Sequence, residues 1–187
     1  MVYHASPVAG LTFLEPKSTG NGAPVVWFSE KRENVLVYLS NAVEKFCRES
    51  GFEHEGAYEK WGPYGFEHNG RLRLEEYYPD ALRETYQGVS GWIYEVQTVE
   101  KSGFSTGIPF TVTSEKPVPV TGAEFVPDAY EAILEAEREG KIVLKRYDDF
   151  SREEREKVFA MLRREYEQSD GKPEYRCFLE QKCGICL

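Results

Sequence analysis

MVYHASPVAGLTFLEP, residues Met1–Pro16, is the stretch whose reading decides the fold. Val2-Tyr3-His4-Ala5 reads as a short strand, and Gly10–Pro16 as a turn followed by a small apolar anchor. A frayed terminus has no use for a tyrosine and a histidine inside an apolar run. A strand belonging to the interior of a sheet does, so the chain is expected to open with a central strand.

Working outward, the loop 18–24 is followed by a continuous apolar strand, PVVWFS, at 24–29. Ser29 is placed to cap a helix. Val35, Leu36, Leu39, Ala42, Val43 and Phe46 then recur at helical spacing, which predicts one amphipathic helix over 30–49. Residues 50–76 are rich in glycine and aromatics, with a tight turn expected at His68-Asn69-Gly70. A short helix is predicted from Pro79, and a strand over 91–100 whose two faces carry Trp92, Tyr94 and Val96 against Ile93, Glu95 and Gln97. IPFTVTS and PVPVTG read as further short strands. A helix over 127–140, a strand over 141–147 and a helix opened by the capping box Ser151/Glu154 complete the pattern. Strands and helices do not alternate regularly, so the fold class is α+β rather than a doubly wound sheet.

The 187 residues suffice for one sizeable core. A net charge of -9 gives no bulk attraction for a phosphate backbone, which argues against general nucleic-acid binding. No apolar run has the roughly 18 residues of a membrane span, and the first ten residues lack the basic and apolar regions of a signal peptide. A cytoplasmic protein with its four cysteines reduced is expected. Cys177, Cys183 and Cys186 offer one C-x2-C without a second, so a loosely packed tail is favoured over a metal site there. His54 and His68 read as solvated surface, and Arg71, Arg73 and Arg83 as solvated or phosphate-facing cations.

The order of several motifs resembles that of the rifampicin ADP-ribosyltransferases and, more broadly, the diphtheria-toxin-like branch of the ADP-ribosyltransferase fold. The residues are Tyr3-His4-Ala5-Ser6, then Gly10, Leu11, Leu14 and Pro16, then Trp27-Phe28-Ser29, then Gly91, Ile93, Tyr94 and Val96, and Ser114-Glu115-Lys116-Pro117-Val118. The resemblance spans about 2–46 and 90–121. It implies a split β-sheet core over 1–147 with an insert at about 47–90, followed by a C-terminal helix and tail over 148–187. It also implies NAD as substrate, with His4 on a ribose, Ala5 and Ser6 beside the nicotinamide amide, Trp27 stacked on its ring, and Glu95 or Glu100 (Glu76 third) as the acid. Trp27 stands where the family has tyrosine, and Ala5 where glycine is usual. A carboxylate suits that chemistry because cleavage of the C–N glycosidic bond builds positive charge on the ribose.

Read without the resemblance, His4 and Trp27 are better explained as core residues, and Glu95 as a solvated or a cleft carboxylate. Two further functions stay open on these residues. One is a catalytically silent binding module on the same fold. The other is an RNA 2'-phosphotransferase-like enzyme, for which the acidic balance gives no sign of a phosphate pocket.

Overall fold

The computed structural model describes residues 1–18, 23–100, 102 and 106–185. Along the chain come β1 (Val2–Ser6), β2 (Phe13–Leu14), β3 (Val26–Ser29), a 3-10 helix (Arg32–Leu39) and α1 (Ala42–Ser50). Then follow β4 (Tyr64–Phe66), β5 (Leu72–Glu75), α2 (Ala81–Tyr86), β6 (Gly91–Val96), β7 (Thr111–Ser114), β8 (Val118–Pro119) and β9 (Gly122–Val126). The chain closes with α3 (Ala129–Arg138), β10 (Ile142–Lys145), a 3-10 turn (Tyr147–Asp149), α4 (Arg152–Glu167) and α5 (Pro173–Cys183).

β1 is central in an antiparallel five-stranded sheet of order β7-β3-β1-β6-β9. The helices and the remaining strands complete a mixed α+β fold: β10, β5 and β4 form a second sheet, and β2 and β8 a small ribbon. Alternation along the five strands separates two cores. On one face Val2, Val26, Phe28, Tyr94, Val96 and Val112 pack beneath Leu14 and Val118 of the ribbon. On the other, Ala5, Ile93 and Val126 pack with the 3-10 helix, α3 and the second sheet. Gly91 allows the close approach of that helix, since a Cβ there would meet Leu39 Cδ2 at 2.6 Å.

The helix expected over 30–49 is two pieces. Val35, Leu36, Val37 and Leu39 are all buried while Tyr38 is half exposed and Arg32 and Glu33 lie at the open end, so the middle of the first piece is wrapped by the core without the alternating polar face of an amphipathic helix. The chain becomes extended at Ser40 and Asn41, and the Asn41 side chain accepts from Val43 N to start α1. The β4–β5 turn forms at Glu67–Gly70, with Gly70 N donating to Glu67 O at 2.8 Å, and both halves of the Ser151/Glu154 capping box are present.

The expected loose tail is instead α5, in which Phe178 and Leu179 are fully buried. Phe178 contacts the rings of Phe46, Trp61 and Tyr78, so the C-terminal helices share one apolar cluster with α1 and the insert. Two braces join α4 to α5: the Tyr166 hydroxyl donates to Glu180, and that of Tyr175 to Glu165. Among the described residues no helix is long and apolar enough to cross a membrane.

Candidate functional site

Register places the residues singled out by the sequence. Tyr3 lies between Ser29 of β3 and Glu95 of β6. His4 is paired with Tyr94, Ala5 with Ile93, Trp27 with Thr113 and Glu95 with Gly122. Val26 and Phe28 point into the ribbon-covered core, so Trp27 between them points to the opposite face. Tyr3, Ala5 and Glu95 share the face of Trp27. His4, two residues from Val2, lies on the ribbon side, its ring set edge-on to Phe28 with 6.0 Å between the ring centres. The sheet therefore separates His4 from Trp27 and Glu95, and the three do not surround one cleft.

His4 has a defined partner. Its Nδ1 is 2.8 Å from Trp27 O. A carbonyl only accepts, so Nδ1 carries the hydrogen and Nε2 is left as an acceptor in the neutral ring. Burial pushes the His4 pKa below 6.5, the bond to Trp27 O opposes that shift, and Lys17 adds to it. His4 thus fastens the backbone under the indole from the far side of the sheet. Ser6 is turned to its own chain, its hydroxyl accepting from Val8 N at 3.2 Å. Ala5 is only 7% exposed and packs in the cluster that holds Val35, Leu36 and Leu39.

Of the three candidate acids, Glu95 alone faces the side of Trp27 half-buried and with its carboxylate over a glycine. Its Oε2 lies 2.8 Å from the position a Cβ on Gly122 would take. Glu100 is exposed and ion-paired, with Lys116 Nζ 2.9 Å from each of its oxygens. Glu76 is structural: it is buried, Oε1 accepts from Leu82 N at 3.1 Å and Oε2 from Tyr147 N at 3.2 Å. It joins β5, α2 and the 3-10 turn at one corner.

Tyr3, paired with Glu95 across the strands, and two residues without a signal in the sequence, Arg32 and Glu124, share that face of the sheet and its margin. Glu124 is the next residue on β9 facing the same side as Gly122. It accepts a two-point bond from Arg32, with Nε to Oε2 at 2.7 Å. The pairing raises the arginine pKa and lowers that of the glutamate, the hydrogen bond being the leading cause for both. Tyr3 is near enough to Arg32 to add to the same shift. Packing of the 3-10 helix against the sheet brings Arg32 and Glu124, 92 positions apart, together.

The other marked residues have local partners. Arg71 pairs with Glu67 at 2.8 Å and Arg73 with Glu75 at 2.8 Å, while Arg83 is 3.9 Å from Asp80. His68 is exposed, but His54 is half-buried against α5, contrary to the expectation of solvated surface for both. Burial pushes up the thiols of Cys47 and Cys183, the latter to about 12. Cys186 lies outside the described residues, and among those described no group of three or more His, Cys, Asp or Glu is arranged to hold a metal.

An open groove of about 610 Å³ lies elsewhere, between the 3-10 turn and α4, lined by Tyr147, Phe150, Arg152, Arg155, Glu156 and Phe159. Its arginines have partners, Arg152 with Glu156 at 2.9 Å and Arg155 with Asp148 at 3.7 Å, so it offers little spare charge to a ligand. No protein-family model, curated protein or solved structure matches the chain.

Proposed function

We propose that the protein is an NAD-binding domain of the ADP-ribosyltransferase-like type, acting as a mono-ADP-ribosyltransferase toward an acceptor that its sequence does not name. The observation that carries this reading is the placement of Glu95. Its carboxylate extends over Gly122, beside Tyr3, on the sheet face that also bears Trp27. Trp27 and Glu95 are two strand spacings and one residue pair apart, about 12 Å between Cα atoms. Two long side chains at that separation suit a nicotinamide nucleoside held by its ring at one end and its ribose at the other. In that arrangement Trp27 positions the leaving group and Glu95 stabilises positive charge on the ribose as the C–N bond breaks. His4 acts through Trp27 and has no ligand contact of its own.

Binding without catalysis is the second reading, and the cover over the face bears on both. Ala5, in the row between Trp27 and Glu95, is covered by the core. A ligand lying across that row needs the 3-10 helix to give way. Calorimetric titration with NAD, run beside an assay for released nicotinamide, separates the two. Catalysis requires binding that Trp27→Ala weakens and nicotinamide release that Glu95→Gln lowers about a hundredfold. Binding with no release assigns the silent module. No binding at millimolar NAD overturns both.

A further inference from the structure

Glu174 stands in the first turn of α5 and is 3% exposed, and its Oε2 has no hydrogen-bond partner. His54 Nδ1 is 3.6 Å from that oxygen, in contact but beyond hydrogen-bond length. The other ring nitrogen, Nε2, is 3.3 Å from Ala57 O, which only accepts, so Nε2 carries the hydrogen. In a neutral ring Nδ1 is then a lone pair aimed at a buried carboxylate. That is a costly arrangement for a buried carboxylate beside a half-buried ring. One added proton resolves it. On Nδ1 it makes an imidazolium–carboxylate pair; on Oε2 it makes a carboxylic acid that donates to Nδ1.

His54 belongs to the strap 52–62 that runs from α1 to β4. Phe52 N donates to Cys47 O at 2.9 Å, Asn41 Nδ2 to Glu59 O at 2.9 Å, and Trp61 stands 4.9 Å from the ring of Phe178. Glu53 and Glu55 flank His54 on the strap and are exposed to solvent. Tyr58 of the strap lies 4.8 Å from the His54 ring. From α1 comes the Cys47 thiol, held neutral by burial first and then by Cys177 and Glu174. Cys177 itself comes from α5, and Lys172 at the start of that helix is paired with Glu59 at 2.8 Å. His54 is thus the basic group placed against Glu174.

We propose that His54 and Glu174 form a proton-operated latch: with one proton between them the strap 52–62 is closed on α5, and with that proton lost the strap is released. Closure takes up a proton, so the closed state is favoured at low pH and lost as pH rises. The Cys47 thiol, fully buried in the cluster against which Phe52 and Tyr58 of the strap pack and near enough to Glu174 to be shifted by its charge, is the group expected to become accessible on release.

Hydrogen exchange of the strap in the full chain tests this between about pH 5 and 8, after correction for the intrinsic pH dependence of exchange. The titration of His54 is followed by NMR in parallel. The expected result is an approximately tenfold loss of protection per pH unit across the His54 titration, the linkage limit for one proton. Glu174→Gln donates an amide hydrogen to Nδ1 in place of the proton, so its strap is expected to stay protected at every pH. Protection of the wild-type strap that is flat through the His54 titration overturns the latch. So does the same pH dependence in Glu174→Gln. The wild-type measurement stands alone if the variant fails to fold.

Discussion

Glu95 occupies the space that a side chain on Gly122 would fill: its Oε2 is 2.8 Å from the position of an added Cβ. The backbone at residue 122 is not in the left-handed region, so alanine there is tolerated by the chain but not by the carboxylate. Gly122→Ala is expected to displace Glu95 with less than about 1 kcal/mol change in stability, because the far end of a flexible side chain does the moving. NAD affinity is expected to fall about tenfold, a loss of about 1.4 kcal/mol. Thermal melting and calorimetry on the same variant check both halves. Unchanged affinity would remove Glu95 from the ligand face.

His4 predicts a pH effect. Its folded pKa is below the unfolded value of 6.5, chiefly through burial. The unfolded chain therefore binds more protons than the native one in the window beneath 6.5, and stability falls as pH is lowered through it. Above that window the contribution is flat. Urea denaturation from pH 5 to 8 is expected to show this loss in the wild type and not in His4→Phe, which keeps a ring beside Phe28 but has no proton to bind. His4→Ala also deletes the bond to Trp27 O and is expected to cost about 1–3 kcal/mol with a shift in tryptophan fluorescence.

The Glu100–Lys116 pair is a surface contact, with side chains 73% and 68% exposed. Glu100→Gln is expected to leave the melting temperature within error and nicotinamide release unchanged. A large loss of release in this variant would transfer the role of the acid from Glu95 to Glu100.

The C-terminal helices are expected to be indispensable to the fold. Phe178 is fully buried against Phe46, Trp61, Tyr78 and Tyr175. Phe178→Ala is expected to cost about 3–5 kcal/mol in denaturant unfolding. Removing 148–187 uncovers Val43, Phe46 and Cys47 together, and the shortened chain is expected to aggregate or to lose cooperative melting. A soluble, cooperatively folding 1–147 would show that the first two cores stand alone.

Much of the chain is legible from local chemistry. The first strand, the Asn69-Gly70 turn, the helix after Asp128 and the capping box at Ser151 each rest on a few neighbouring residues, and each forms. The break at Ser40 is hidden in the sequence because apolar spacing continues through it; burial of the consecutive residues Asn34 to Val37 replaces the amphipathic pattern that the spacing implies. α5 carries ordinary signals, Pro173 at its first turn and Gly184 at its end, which the cysteines beside them obscured.

The sequence by itself determined most of the strand segments, β9 excepted, which residues are apolar and that the first strand is interior, because these depend on period and on a handful of local hydrogen bonds. Only the tertiary structure decided which side of the sheet each candidate faces. A strand turns its side chains over at every residue, so His4 and Ala5 are adjacent in sequence and on opposite faces in space. Register then set Glu95 against Gly122, packing of the 3-10 helix on the sheet brought Arg32 to Glu124, and packing of α5 buried Glu174 against His54. Those pairings depend on contacts between distant segments, and no local pattern in the chain encodes them.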